Sequence, residues 1–273
     1  MPKKLDNPKP QNDTLIIVGN GMVSWRLCRK LVDLGVNTNR RIIVFGEEPR
    51  PAYDRVNLTK YFELDAPDDL LLSPLDWYAD NDIELKVNTK IIKLDPSAKL
   101  VVDDQGREYP YGDCVLATGS HAFVPPITGA DSDNVFVYRT IEDIESIKVA
   151  AQEARHGVII GGGLLGLEAA NVLKDLSVDA CIVQAAGGLM SRQLNEDAAG
   201  YLLCEVAELG MAVRLKTMTK AIDPASDRLE LRFDKGEPIV TDMVILATGI
   251  KPNDSLAVDA GISTAVRGGI IVD

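Results

Sequence analysis

The chain has 273 residues, 46% of them hydrophobic, and a mean hydropathy of +0.01, enough to bury a core in one large or two medium domains. Its formal net charge of −12 repels phosphate backbones and anionic membrane surfaces, so nucleic acid is excluded as a natural partner. No apolar run reaches the roughly 18 to 20 residues that span a bilayer, so no membrane association is expected.

Residues 1–13, "MPKKLDNPKPQND", lack the apolar stretch of a signal peptide and are rich in Pro, Lys, Asn and Asp. They predict a mobile leader and a cytoplasmic address. "TLIIVG" then reads as a buried strand. "GMVSWRLCRKLVDLG" places its apolar residues at mixed three- and four-residue steps, as a helix does, and "IIVF" is a second buried strand ending at Gly46, Glu47 and Glu48. This is a βαβ unit. A Pro-punctuated loop, "EEPRPAYDRVNLTKYF", follows it. The short runs from "IELKVNT" through "KLVVDDQGREYPYGD" to "CVLATGS" have hairpin-like spacing and predict an antiparallel meander.

After Pro125 and Pro126 the pattern restarts with strand "GVIIG", helix "LLGLEAANVLKDL" and strand "DACIVQ". "VLATGS" (115–120) is echoed by "VILATGIKPN" (244–253), so the same parts occur twice in the same order. An internal duplication explains this most simply. The expected fold is α/β, with two Rossmann-like dinucleotide-binding units, each carrying a small antiparallel meander.

In a glycine-rich strand-to-helix turn, the first glycine permits a tight bend and the second lets the backbone approach a pyrophosphate. The third packs helix against strand, while the helix N-terminus offers N–H groups to the phosphates. The second turn is complete, with Gly161, Gly163 and Gly166. The first has Gly19 and Gly21 but Ser24 in the third position, which implies a slightly wider helix–strand contact. An acid at the tip of the next strand binds ribose hydroxyls, and Glu47 is placed for that in the first unit. In the second unit Gln184 stands there, followed by two alanines and a glycine. This leaves NADH against NADPH open, and the lack of a cation beside it in sequence tilts the reading toward NADH. Cys28, Cys114, Cys181 and Cys204 are far apart with no CxxC or zinc spacing, so buried small side chains are expected rather than a disulfide framework, redox dithiol or metal site.

Six segments, in order, carry a resemblance: "GNGMVS", "FGEEPRPAYDRVNLTKYF", "VLATGS", "VFVYRTIEDIESI", "GGGLLGLEAANVLK" and "ATGIKPND". From about residue 14 onward the chain resembles the N-terminal flavoprotein part of the large subunit of NAD(P)H-dependent nitrite reductase. More broadly it is similar to ferredoxin-reductase-type pyridine nucleotide flavoprotein oxidoreductases. The resemblance implies an FAD-binding first unit (14–125), interrupted by an NAD(P)H-binding unit (126–252), with 253–273 beginning the return to the first. Gly19 and Gly21 would meet the FAD pyrophosphate, Glu47 its adenosine ribose, and Arg50 and Arg55 its phosphate side. Thr89 would touch adenine by its backbone, and Thr118, Gly119 and Arg139 would line the same cofactor. Gly161, Gly163, Leu164, Leu165 and Gly166 would cradle NAD(P)H, with Gly249 at its nicotinamide end.

The resemblance also joins Lys60, which closes a "YDRxxLxK" pattern, to Glu168. The two form an expected catalytic pair, the lysine near the flavin N5 stabilising the negative charge that hydride transfer brings. The reaction implied is hydride transfer from nicotinamide C4 to flavin N5, with electrons passed on singly to iron–sulfur and sirohaem centres of a parent chain or to a small electron-transfer protein. A stand-alone ferredoxin or rubredoxin reductase and an inactive nucleotide-binding fragment are the alternatives. Relatives of the cysteine-using type place a redox cysteine in the loop after Glu47, and this loop has none. The chain stops at "GGIIVD", before the Gly-Asp or Gly-Glu segment that in relatives holds the flavin ribityl. A fragment with an open-sided flavin site is therefore expected, and its exposed apolar surface predicts self-association as a homodimer.

Overall fold

The computed structural model describes residues 13–64 and 66–273, so all of the expected leader except Asp13 lies outside the described residues. Two units separate along the chain. Unit one takes the segment ending at Arg55 together with Pro67–Ser120 and Pro252–Asp273, and unit two takes Val56–Ala66 and His121–Lys251. The stretch Val56–Ala66, expected in the first unit, belongs with the second.

Unit one runs β1 (Leu15–Val18), α1 (Met22–Asp33), α2 (Val36–Asn39), β2 (Ile42–Phe45), α3 (Leu75–Asp80), β3 (Ile83–Lys86), β4 (Ile91–Asp95), β5 (Leu100–Asp103), β6 (Glu108–Pro110) and β7 (Asp113–Leu116). Its main sheet has the order β3-β2-β1-β7, with every pair parallel. The antiparallel meander is β4-β5-β6 alone. "IELK" and "DCVL", expected as its outer strands, join the parallel sheet instead. Hairpin-like spacing fixes only how near two strands lie in sequence; the edges of the β1–β2 pair offered them long-range partners.

β1 and β2 are buried at all four positions, as a parallel sheet covered on both faces requires. Alternate residues point to opposite layers. Ile16, Val18, Ile43 and Phe45 pack with Ile91, Leu94 and Val101 of the meander, whereas Leu15, Ile17, Ile42 and Val44 pack with Cys28 and Tyr78 of the helices. Each such side chain, fully buried, stabilises the fold by about 1.5–3 kcal/mol.

The chain leaves unit one along β8 (Ser120–Ala122). Unit two contains β9 (Val135–Val137), α4 (Ile141–Ala151), β10 (His156–Ile160), α5 (Leu164–Asp175), β11 (Asp179–Val183), α6 (Glu196–Glu208), β12 (Ala212–Arg214), β13 (Thr219–Ala225), β14 (Arg228–Phe233), β15 (Ile239–Thr241) and β16 (Met243–Leu246). The chain returns along β17 (Ile250–Pro252) to α7 (Ser255–Asp259). The parallel sheet here is β12-β11-β10-β16-β9, and β13-β14-β15 is an antiparallel meander. Ile222, Leu229 and Leu231 of the meander pack on Val158, Ile160, Val183, Val244 and Leu246.

The duplication is visible in strand order. β1 and β10 each lie between the strand that follows their helix and the strand that precedes an Ala-Thr-Gly segment. In such sheets, ligands bind beyond the carboxyl ends of the strands where the order reverses, which places both glycine turns at the expected crevice. Among the described residues, no helix is long and apolar enough to cross a membrane.

Candidate functional site: two glycine cradles

Each cradle begins with a glycine in the left-handed half of backbone space. Gly19 has φ +105° and Gly161 φ +121°. A Cβ on Gly19 would stand 2.1 Å from the Ala117 carbonyl oxygen, and one on Gly161 2.3 Å from that of Ala247. The first strand's turn thus presses against the Ala-Thr-Gly segment in both units, which is why the two motifs travel together in the sequence.

The second glycine behaves differently. Gly21 and Gly163 are the N-cap residues of α1 and α5, both in extended backbone, and a Cβ on either meets no atom of the described residues within 4 Å. Neither cap receives a side-chain hydrogen bond, whereas α4 is closed by a Thr140–Asp143 capping box and α6 by Asn195. An open space facing uncapped first-turn N–H groups suits a dinucleotide pyrophosphate, so the residues present fit one cofactor in each unit. In unit one the buried Oδ1 of Asn20, beside the turn, accepts no hydrogen bond among the described residues.

At the third position the units diverge as expected. A Cβ on Gly166 would lie 1.9 Å from the Gly161 carbonyl oxygen. Ser24, buried at the matching place, has room for its Cβ and donates its hydroxyl to the Gly19 carbonyl at 2.5 Å. A hydrogen bond replaces close packing there.

Around the first cradle, Glu47 is exposed at the tip of β2, 3.0 Å from Lys90 Nζ. Thr89 is buried, and its N–H donates to the Gly46 carbonyl at 2.8 Å, which sets its backbone beside that tip. Arg50 is half-buried, and its carbonyl accepts from Asn20 Nδ2. Arg55 pairs with Glu48 at 2.5 Å and lies 4.5 Å from the Tyr53 ring, so its charge is already engaged by a carboxylate. Thr118 donates to the Asn253 carbonyl, while Asn253 Nδ2 and N–H donate back to Thr118 and Gly119. This latch holds Gly119 at φ +67°. Asn253 escaped the sequence reading because it lies 135 positions from Thr118.

The second cradle opens into a cavity of about 760 Å³, lined by Gly161, Gly163, Leu164, Leu165, Gln184, Gly249 and their neighbours. That volume is of small-ligand size. Gln184 bridges the turn: its Oε1 accepts from Gly162 N–H at 3.1 Å, and its Nε2 faces the Gly188 carbonyl at 3.5 Å. Tyr138 also lines the cavity, and burial pushes its phenol pKa up.

Arg139, expected on the flavin side, lies in unit two ahead of α4, its N–H donating to Asp143 Oδ2. Lys60 and Glu168 lie in the same unit, yet no ion pair joins them among the described residues. Glu168 instead accepts from the Thr59 hydroxyl at 2.9 Å, and Thr59 accepts from the Tyr138 hydroxyl at 3.1 Å. A short hydroxyl next to Lys60 satisfies the carboxylate locally and leaves the Lys60 side chain exposed. Thr59 was missed because nothing in its own sequence surroundings points 109 positions ahead.

Residues 13–273 match the family described as pyridine nucleotide-disulphide oxidoreductase. This chain belongs to that family. It is 41% identical over 259 residues to the large subunit of a nitrite reductase [NAD(P)H] from Klebsiella oxytoca, covering 95% of this chain and 27% of that one. It is 36% identical over 260 residues to an assimilatory nitrate reductase electron transfer subunit from Bacillus subtilis (strain 168), covering 95% of this chain and 33% of that one. The chain thus spans about a quarter to a third of the length of these curated relatives. A ferredoxin reductase from Rhodopseudomonas palustris superposes with a TM-score of 0.88 at 26% identity, over 95% of this chain and 64% of that one. The oxidoreductase family's name refers to disulphide chemistry, which needs an accessible thiolate. All four cysteines are free: burial pushes the thiols of Cys28 and Cys114 up to about 12 and raises that of Cys181, but Cys204, expected to be buried with them, is exposed on α6.

Proposed function

We propose that this chain is the electron-input part of an NAD(P)H-dependent nitrite reductase, binding FAD in unit one and NAD(P)H in unit two. The observation that carries the reading is the pair of uncapped, open glycine cradles, one in each unit, joined to relatives whose names specify nitrite reduction and nitrate-linked electron transfer. Bound in these cradles, the two cofactors supply hydride exchange and the step from two-electron to one-electron chemistry.

The chain's own residues position and polarise. Gly19, Gly21 and the first turn of α1 hold one pyrophosphate, with Ser24 bracing the turn; Gly161, Gly163 and the first turn of α5 hold the other. Glu47 takes ribose hydroxyls, the backbone at Thr89 meets adenine, and Thr118, Gly119 and Arg50 complete the flavin side. Arg55 serves chiefly to fix Glu48. Among the described residues Lys60 has no carboxylate partner, so its charge is available to offset the negative charge that reduction brings. Glu168, fixed by Thr59 and through it by Tyr138, is the oriented carboxylate of the pair. The electrons leave for iron–sulfur and sirohaem centres outside the 273 residues, and the address is cytoplasmic.

The test is an absorption spectrum of the chain with one equivalent of FAD, followed by anaerobic NADPH or NADH. Retained flavin bands that bleach on addition of the nucleotide support the reading. Retained bands that do not bleach with either nucleotide overturn it.

A further inference from the structure

The adenosine end of the unit-two cavity has an unexpected charge pattern. In a chain of net charge −12, no carboxylate among the described residues lines the cavity, and two cations, Arg192 and Lys220, do. A third cation stands beside the tip of β11. Lys216 N–H donates to the Ala186 carbonyl at 3.0 Å, and its Cε would lie 3.3 Å from a Cβ placed on Gly187. Arg192 lines the same cavity as Gln184, Ala185 and Ala186, and its loop is pinned to the glycine turn by the bond from Met190 N–H to the Gly162 carbonyl, 2.8 Å long. Arg192 and Lys216 are both exposed and take part in no ion pair among the described residues.

Gln184 stands where a carboxylate would bind both ribose hydroxyls, and its amide is committed within the turn to Gly162 and Gly188. A carboxylate there would favour an unmodified ribose and repel a phosphorylated one; a neutral side chain flanked by cations reverses both preferences. We propose that Arg192 and Lys216 receive a phosphate on the adenosine ribose, so that unit two binds NADPH in preference to NADH. Lys220, further along the cavity wall with its ammonium 3.5 Å from Met218 Sδ, adds to the positive field. The tilt toward NADH that the local sequence suggested is reversed because the cations come from segments 8 and 32 residues beyond Gln184.

This inference rests on unit two being the NAD(P)H site. Titrations of the 273-residue chain with NADPH, NADH, 2′,5′-ADP and 5′-AMP, followed by calorimetry, separate the two claims. The expected result is tighter binding of NADPH than NADH and of 2′,5′-ADP than 5′-AMP, each by about tenfold or more, as one or two charge-assisted hydrogen bonds provide. Arg192→Gln and Lys216→Gln should each remove most of that ratio while leaving NADH affinity unchanged, a selectivity that a purely structural role would not produce. Equal or tighter binding of NADH by the wild-type chain, or variants that weaken both nucleotides alike, would overturn the assignment and leave the nucleotide site intact. Binding of neither nucleotide would overturn the site itself, and this assignment with it.

Discussion

Gly163 and Gly166 lie three residues apart on one turn, yet a methyl group added to each meets opposite surroundings. At Gly166 it would collide with the Gly161 carbonyl oxygen; at Gly163 it would enter space that no atom of the described residues occupies within 4 Å. Gly166→Ala should therefore destabilise the protein by about 1–3 kcal/mol, since the helix must shift to admit it. Gly163→Ala should leave stability within about 0.5 kcal/mol of wild type, because its extended backbone suits alanine. It should nevertheless weaken NAD(P)H binding by about tenfold or more, the methyl standing where a pyrophosphate comes close. Urea unfolding and nucleotide titration of the two variants check both halves, and a Gly163→Ala protein that binds normally would remove the pyrophosphate from this turn. These residues were legible in the sequence because a glycine turn is local: its strain, its open space and its helix are encoded within eight residues. Thr59, Asn253, Arg192 and Lys216 were not, since each acts on a partner that only the fold brings near.

At the scale of single elements, the turn from β5 to β6 depends on one buried carboxylate. Asp103 Oδ1 accepts from the N–H groups of Gln105 and Arg107, and Oδ2 accepts from Arg107 Nε and the Tyr109 hydroxyl. Burial would raise its pKa, but these four donors prevail and hold it at about 2, below the ordinary 3.8. A lowered native pKa gives stability that is fully present above the unfolded value and lost as pH falls through the native one. The contribution should thus be complete above about pH 4 and fade toward pH 2. Asp103→Asn should be less stable than wild type at pH 6, with the gap closing between pH 4 and 2 in urea midpoints measured across that range. A gap that stays constant with pH would show that the carboxylate's charge is not what holds the turn. Sequence pattern exposed the meander strands but not this residue: "VDDQGRE" offers two aspartates, and only the register of β5 decides which one is buried. The same register problem hid the parallel partners of β3 and β7.

Across the whole molecule the sequence spoke most clearly through repetition. A strand, a glycine turn, a helix, a second strand and an Ala-Thr-Gly segment, twice in one order, specify two sheets with the same central strand, and both sheets have that topology. What repetition cannot specify is where the copies have diverged, and the divergence decides which ligand each takes. Unit one has the carboxylate of Glu47 at the tip of β2, whereas unit two has Gln184 after β11 with cations nearby. If each cradle serves its own cofactor, ligand protection should be selective along the chain. Amide hydrogen exchange with saturating NADPH should slow residues 161–166, 184–193 and 246–249, with little change at 19–24 or 46–50. FAD should do the reverse, slowing 19–24, 46–50, 89 and 117–119. The pattern follows from where first-turn N–H groups lack an internal acceptor, because those amides gain most from a bound phosphate. Equal protection of both glycine turns by NADPH alone would mean that the copies have not specialised, and the division of labour between FAD and NADPH would fall with it.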